Sequence, residues 1–185
     1  MSVQFKNLEL NLGKFHLGPL NFESASSGIH LIKGANGTGK TSLLRILMSR
    51  TAPTAGEIMG AQMEVGVVGV EPWMMGSWTV KENIEWFSQL LGRKPTAQNL
   101  EKISKFYEQR FDRLSLGQRR QVELSFALAM NFKILLLDEP LSPLDHEQRK
   151  IYSDLITQAA TQNLIFITTH QENEFSDKAA KVLSL

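Results

Sequence analysis

The chain has 185 residues, 42% of them hydrophobic and 21% charged, with a formal net charge of +1. That length suits one domain with a substantial core, and the near-neutral balance excludes a broad electrostatic pull toward nucleic acid or anionic lipid. There is no cysteine, which excludes disulfides, thiolate metal sites and thiol catalysis and fits a reducing, cytoplasmic setting.

The opening MSVQFKNLEL lacks the basic-then-apolar pattern of a secretory signal. Two early strands are predicted from VQFKNLEL and FHLGPLNF, the second ending before the serine-rich turn ESASSG. Residues 29–33, IHLIK, read as a buried strand running into the glycine-rich stretch GANGTGKT. A helix follows through TSLLRILMSR, with Leu43, Leu44, Leu47 and Met48 on one face, and TAPTAGE supplies its stop through Pro53 and Gly56. MEVGVVGVEP is predicted as a strand ended by Pro72, and from Trp73 to about Phe111 the pattern turns helical. RLSLGQRRQVELSFALAMN is the next predicted helix, and its Arg119–Arg120 cluster reads as a solvated face, as does Arg149–Lys150. Then come the buried strand FKILLLDEP, a helix over about 145–160, the strand NLIFITTH and a last short strand AAKVLSL. Short apolar runs alternating with helices predict an α/β domain with a largely parallel sheet. No apolar run reaches the roughly 18–20 residues that span a bilayer, so the chain is expected not to cross a membrane by itself.

Residues 34–41 fill every fixed position of G-x-x-x-x-G-K-[ST], after a predicted strand and at the start of a helix. Gly34, Gly37 and Gly39, with Ala35, Asn36 and Thr38 between them, let backbone N–H groups converge on phosphate oxygens, and the helix N-terminus adds partial positive charge. Lys40 is expected at the β- and γ-phosphates and the Thr41 hydroxyl on Mg2+. ILLLDEP places Asp138 and Glu139 at the C-terminal end of a buried strand, the edge where open α/β sheets bind ligands. Asp138 is the candidate partner of Thr41 for Mg2+, and Glu139 the candidate to orient or deprotonate an attacking water.

These motifs alone leave kinases, GTPases, motor ATPases and repair proteins open. The ordered series LSLGQRRQVELSFALAMNFKILLLDEP, LSPLD and ITTH, behind the phosphate loop, resembles the ATP-binding cassette (ABC) ATPase family over nearly the whole chain. The resemblance implies a P-loop NTPase fold of the ABC type: a mostly parallel core sheet with an antiparallel β edge, core about 1–71 and 118–185, and a short helical subdomain about 72–117. It implies ATP as the substrate nucleotide, Mg2+, and a dimer with a second ATPase subunit, identical or paralogous. In that dimer Ser115, Gly117 and Gln118 of the signature complete the partner's site in trans. Leu141 to Asp145 occupy the D-loop position, His170 that of the switch histidine that senses the γ-phosphate, and Phe15 is the nearest aromatic for adenine stacking.

Three residues depart from the family pattern: Leu116 for the first signature glycine, Pro143 in the D-loop, and Glu71 for the Q-loop glutamine. A carboxylate at 71 changes the charge beside Mg2+ and the γ-phosphate by one unit, either adding a metal ligand or repelling phosphate. The family reading makes the chain the motor of a transporter whose membrane-spanning permease subunits are separate chains, held peripherally on the cytoplasmic face. Trp73, Met74, Met75 and Trp78 follow the Q-loop position, where the family meets a cytoplasmic helix of its membrane partner. They are read as a loop suited to that interface, with packing into the helical insert as the alternative. The compact length and the linking residues TSLLRILMSRTAPTAGEI and ITTHQ resemble the haem-exporter ATPases of cytochrome c maturation. A non-transport ATPase acting on nucleic acid or the ribosome, and a nucleotide-binding regulator with weak turnover, are the alternatives; no nucleic-acid partner is expected.

Overall fold

The computed structural model describes residues 2–60, 65–71, 73–169 and 175–185. Its backbone is two sheets and a set of helices in an α/β arrangement. Strands β1 (Gln4–Leu12), β2 (Phe15–Glu23) and β4 (Ala55–Met59) form an antiparallel sheet in the order β2-β1-β4. Strands β3 (Gly28–Lys33), β5 (Val65–Val68), β6 (Ile134–Asp138), β7 (Leu164–Thr168) and β8 (Ala179–Ser184) form a parallel sheet in the order β5-β6-β7-β3-β8.

The central strands β3, β6 and β7 of the parallel sheet are buried on both faces, which is why they read as continuous apolar runs. Period-two alternation divides them between two cores. Leu135, Leu137, Ile165 and Ile167 face one core; Ile134, Leu136, Leu164 and Phe166 face the other. That second core also takes Leu43, Leu44, Ile46 and Leu47 of helix α1 (Lys40–Leu47) and the inner face of the antiparallel sheet. Within it, His30 of β3 is 1% exposed; its Nε2 accepts from the Ala25 N–H at 3.0 Å, and its ring packs against Phe22 and Phe166.

The first core is built by helices α4 (Leu116–Ala129) and α5 (His146–Ala159), with the smaller α2 (Val80–Leu90) and α3 (Ala97–Glu101). The helical pattern predicted over 73–111 is thus two helices joined by turns. Thr79 caps α2 through a reciprocal bond with Glu82, and buried Asn83 ties the preceding loop down through Met75. β4 was not expected as a strand of its own. It is a five-residue edge strand with one half-buried side chain, so it carries no alternation to detect. Among the described residues no helix is long and apolar enough to cross a membrane.

The register sets the site. Asp138 pairs with Thr168, Ile32 pairs with Thr168 from the other side, and Val68 pairs with Leu137. The C-terminal ends of four adjacent strands therefore emerge level, directly below the loop that joins β3 to α1.

Candidate functional site

Residues 34–41 wrap the N-terminus of α1. Gly39 caps that helix at φ 104°, and Gly37 also lies at positive φ, 83°; both are conformations that side chains disfavour. A Cβ on Gly39 would lie 2.7 Å from the Phe15 ring, so the glycine also admits an aromatic against the loop. The buried Lys40 ammonium donates to the carbonyls of Gly34 (2.8 Å) and Ala35 (2.9 Å). Thr38 donates to the Ala35 carbonyl at 3.0 Å.

In the first turn of α1, the Thr41 hydroxyl donates to Asp138 Oδ2 at 2.7 Å. The other carboxylate oxygen of Asp138 accepts from the Thr168 hydroxyl. Thr168 Oγ1 in turn accepts from the Glu139 N–H at 3.1 Å. Glu139 follows with φ 46°, a left-handed conformation of the kind that clusters at functional sites. Phe15, Asn36, Gly37, Gly39, Lys40, Thr41, Ser42, Asp138 and Glu139 line one cleft of about 320 Å3. Thus the phosphate-loop and acidic-strand residues come together as the motifs require, and Phe15 joins them. His170 lies outside the described residues. Ser42 and Thr168 were not singled out from sequence; their signals were the hydroxyl after the loop's Thr41 and the threonine one strand across from Asp138.

The donor set fits Mg2+. Thr41 Oγ1 and Asp138 Oδ2 are oxygen donors set together beside the phosphate loop, and Mg2+ is typically bound by one or two carboxylates together with phosphates. Glu71 does not join them. Its carboxylate lies 3.7 Å from Arg45 of α1, both side chains 45% exposed, and it borders a different hollow. In this structure the guanidinium one turn beyond Thr41 is its electrostatic partner.

Ser115, Gly117 and Gln118 line a separate cavity of about 570 Å3 with Pro143 and Asp145. Ser115 caps α4: its Oγ accepts from the Gln118 N–H at 3.2 Å, and Gln118 Oε1 accepts from the Ser115 N–H at 2.8 Å. Gly117 faces the Pro143 carbonyl so closely that a Cβ would lie 2.8 Å from it. Leu116 is 69% exposed and turned outward, so its bulk leaves the helix start open. An anion-ready helix N-terminus therefore lines a cavity other than that of the chain's own phosphate loop.

Two surface expectations are corrected. Arg120 is not solvated: its side chain is 13% exposed. Arg119 is bent back to donate to the Asp112 and Leu114 carbonyls. Met74 is buried, and Trp73 packs on Phe87 and Phe126 at ring distances of 4.9 and 5.4 Å; Trp78 packs on Trp86. Trp73 thus packs, partly buried, against the core of the helical part, where α2 and α4 offer aromatic faces to it, while Trp78 and Trp86 stack nearer the surface. Met75 stays exposed. What reaches the surface beside Glu71 is an apolar hollow of about 380 Å3 that includes Met48, Trp73, Leu90 and Phe132.

A family model described as ABC transporter matches residues 17–142. The probable sulfate/thiosulfate import ATP-binding protein of Chlorella vulgaris is 30% identical over 207 residues, spanning 100% of this chain and 87% of that one. The cytochrome c biogenesis ATP-binding export protein of Rickettsia typhi is 28% identical over 195 residues, spanning 99% and 98%. Among solved structures, an inward-facing metal-chelate type ABC transporter superposes with a TM-score of 0.81 at 28% identity, covering 100% of this chain and 79% of that one.

Proposed function

The chain belongs to the ABC transporter family as an ATP-binding ATPase subunit, and we propose that it drives transport through separate membrane-spanning permease subunits, as one of two paired ATPase subunits on the cytoplasmic face. One observation carries the reading. The phosphate loop and acidic strand end are joined within the chain by Thr41 and Asp138 at 2.7 Å, while the signature residues line a different cavity. A chain that holds two half-sites in separate cavities is suited to a head-to-tail pair in which each ATP lies between two subunits.

In that pair the loop amides of residues 34–39 bind the phosphates, and Lys40 exchanges its two carbonyls for β- and γ-phosphate oxygens. Thr41 and Asp138 would hold Mg2+, which would supply charge neutralisation at the phosphates. Ser115 and Gly117 of the other copy donate to the γ-phosphate, with the dipole of α4 behind them. Gln118 braces that helix start through its bond to Ser115. Glu139 orients a water and takes its proton as the water oxygen bonds to the γ-phosphorus. The bond from that phosphorus to the bridging oxygen breaks, and ADP leaves. His170 is assigned to the γ-phosphate by its place in the motif. Phe15 supplies the aromatic face for adenine.

The apolar hollow beside Glu71, lined in part by Trp73 and rimmed by the 63% exposed Leu90, is the permease contact, with the buried Met74 withdrawn from that role. Leu90→Asp is expected to abolish co-purification with the membrane subunits while ATP binding and melting temperature stay near parental; undiminished association contradicts the assignment. For cargo we put forward haem export in cytochrome c maturation, supported by the end-to-end match to the cytochrome c biogenesis protein and by the linking residues. Restored holo-cytochrome c in a strain lacking that exporter's ATPase tests it; failure of an expressed, ATP-hydrolysing chain to restore it counts against that cargo alone.

A further inference from the structure

Arg120 lies in the second turn of α4, where a solvated face was expected, and its guanidinium is instead drawn inward by three features. Its Nη1 donates to the Asp138 carbonyl at 3.2 Å. Its Nε lies 3.6 Å from Glu123 Oε2, with the two side chains only 13% and 12% exposed. It also passes over Gly69 (φ 89°), where a Cβ would lie 2.4 Å from Nη1. Gly69 directly follows the Val68–Leu137 pairing that sets β5 beside β6. One fork-shaped cation thus touches the exits of two strands and the helix that begins at Ser115.

Stability alone does not call for this arrangement. A buried ion pair is often matched or bettered by apolar residues of similar volume, because desolvating two charges offsets their attraction. Burial holds the Arg120 pKa down and pushes the Glu123 carboxyl up, each opposed by the other's charge, so the pair is desolvated. What apolar residues do not supply is a donor to the carbonyl between Asp138 and Glu139.

We infer that Arg120, braced by Glu123, is a positioning residue for ATP hydrolysis, fixing the Asp138–Glu139 backbone to the signature helix and so joining the half-site at Ser115 to the hydrolytic half-site of the same chain. This rests on the assignment of Asp138 and Glu139 to hydrolysis made above. α4 then acts as a rigid lever. Its first turn meets the partner's nucleotide, and its second holds the peptide that aims Glu139.

The test is steady-state Mg-ATP hydrolysis by the full-length chain, with melting temperatures, for Arg120→Lys and for the double variant Arg120→Met/Glu123→Leu. Lysine keeps the charge balance but has no fork to bond Glu123 and Asp138 together. The double variant removes both buried charges. Both are expected to melt near the parent and keep KM within about threefold. kcat should fall severalfold in Arg120→Lys and about ten- to a hundredfold in the double variant, the range expected from losing a charged hydrogen bond. Parental kcat in a stable double variant overturns the proposal. If the double variant does not fold, Arg120→Lys decides: lowered kcat at unchanged melting temperature supports the role, and parental kcat overturns it. Glu139→Gln is measured alongside. Parental turnover there removes the underlying assignment, whereas lost turnover with parental Arg120 variants removes only the role of Arg120.

Discussion

Thr168→Val is the most informative single change in the hydrolytic half-site. Thr168 is fully buried; its hydroxyl donates to Asp138 Oδ1 and accepts from the Glu139 N–H at 3.1 Å. Valine keeps the shape and removes both bonds. The Asp138 carboxylate loses the Thr168 hydroxyl donor while that of Thr41 remains, and the Glu139 N–H keeps the Thr168 carbonyl at 3.2 Å. Loss of a hydrogen bond to a charged group costs about 1.5–3 kcal/mol, and each kcal/mol moves the melting temperature of a chain this size by about 2–4 °C. A fall of about 3–12 °C is therefore expected by scanning calorimetry. Steady-state ATP hydrolysis should fall about tenfold, because both acidic residues lose the group that aims them. Thr168→Ser retains the hydroxyl and should stay near parental in both assays. A valine variant indistinguishable from the serine variant would refute the reasoning.

Three further outcomes follow from particular contacts. Gly117→Ala places a methyl 2.8 Å from the Pro143 carbonyl, so overpacking of about 1–3 kcal/mol should lower the melting temperature, while alanine at the exposed Leu116 should not. Glu71→Gln removes one member of a half-exposed ion pair with Arg45, worth at most about 1 kcal/mol. Its stability and the Mg2+ dependence of its turnover should match the parent's, and a shifted Mg2+ requirement would return Glu71 to the metal site. His30 has its pKa lowered from 6.5, first by burial and then by Lys181, against the hydrogen bond to Gly28 that raises it. The folded state therefore binds fewer protons than the unfolded state. The stability it confers is present above about pH 6.5 and is lost as pH falls through the folded pKa, so unfolding free energy should drop from pH 7 to 5. His30→Phe should flatten that slope between denaturant titrations at the two pH values.

The phosphate loop was legible because its chemistry demands fixed residues at fixed spacing in a strand–loop–helix setting. The same holds for Asp138, Glu139 and the Ser115 cap, whose reciprocal partner Gln118 sits three residues on. Residues whose roles depend on what lies across the fold were not legible. Arg120 looks like any solvated arginine until Gly69 and the Asp138 carbonyl come beside it. Glu71 occupies a motif position that implied a metal, and only the placement of Arg45 shows where its charge goes. Trp73 and Met74 carried a composition equally suited to an interface and to a core, and the aromatic faces of α2 and α4 decided for the core. β4 escaped notice because an edge strand needs backbone pairing with β1 and little apolar patterning of its own.

One chain holds two half-sites, and the proposed pairing with a second ATPase subunit would join them. It is tested most directly by the mass in solution of Glu139→Gln, measured by light scattering with and without saturating Mg-ATP. The divided site predicts a monomer without nucleotide and a stable dimer with it, reverting when Ser115→Arg is added. A variant that binds ATP yet stays monomeric at every protein concentration, or a dimer untouched by the change at Ser115, would contradict it.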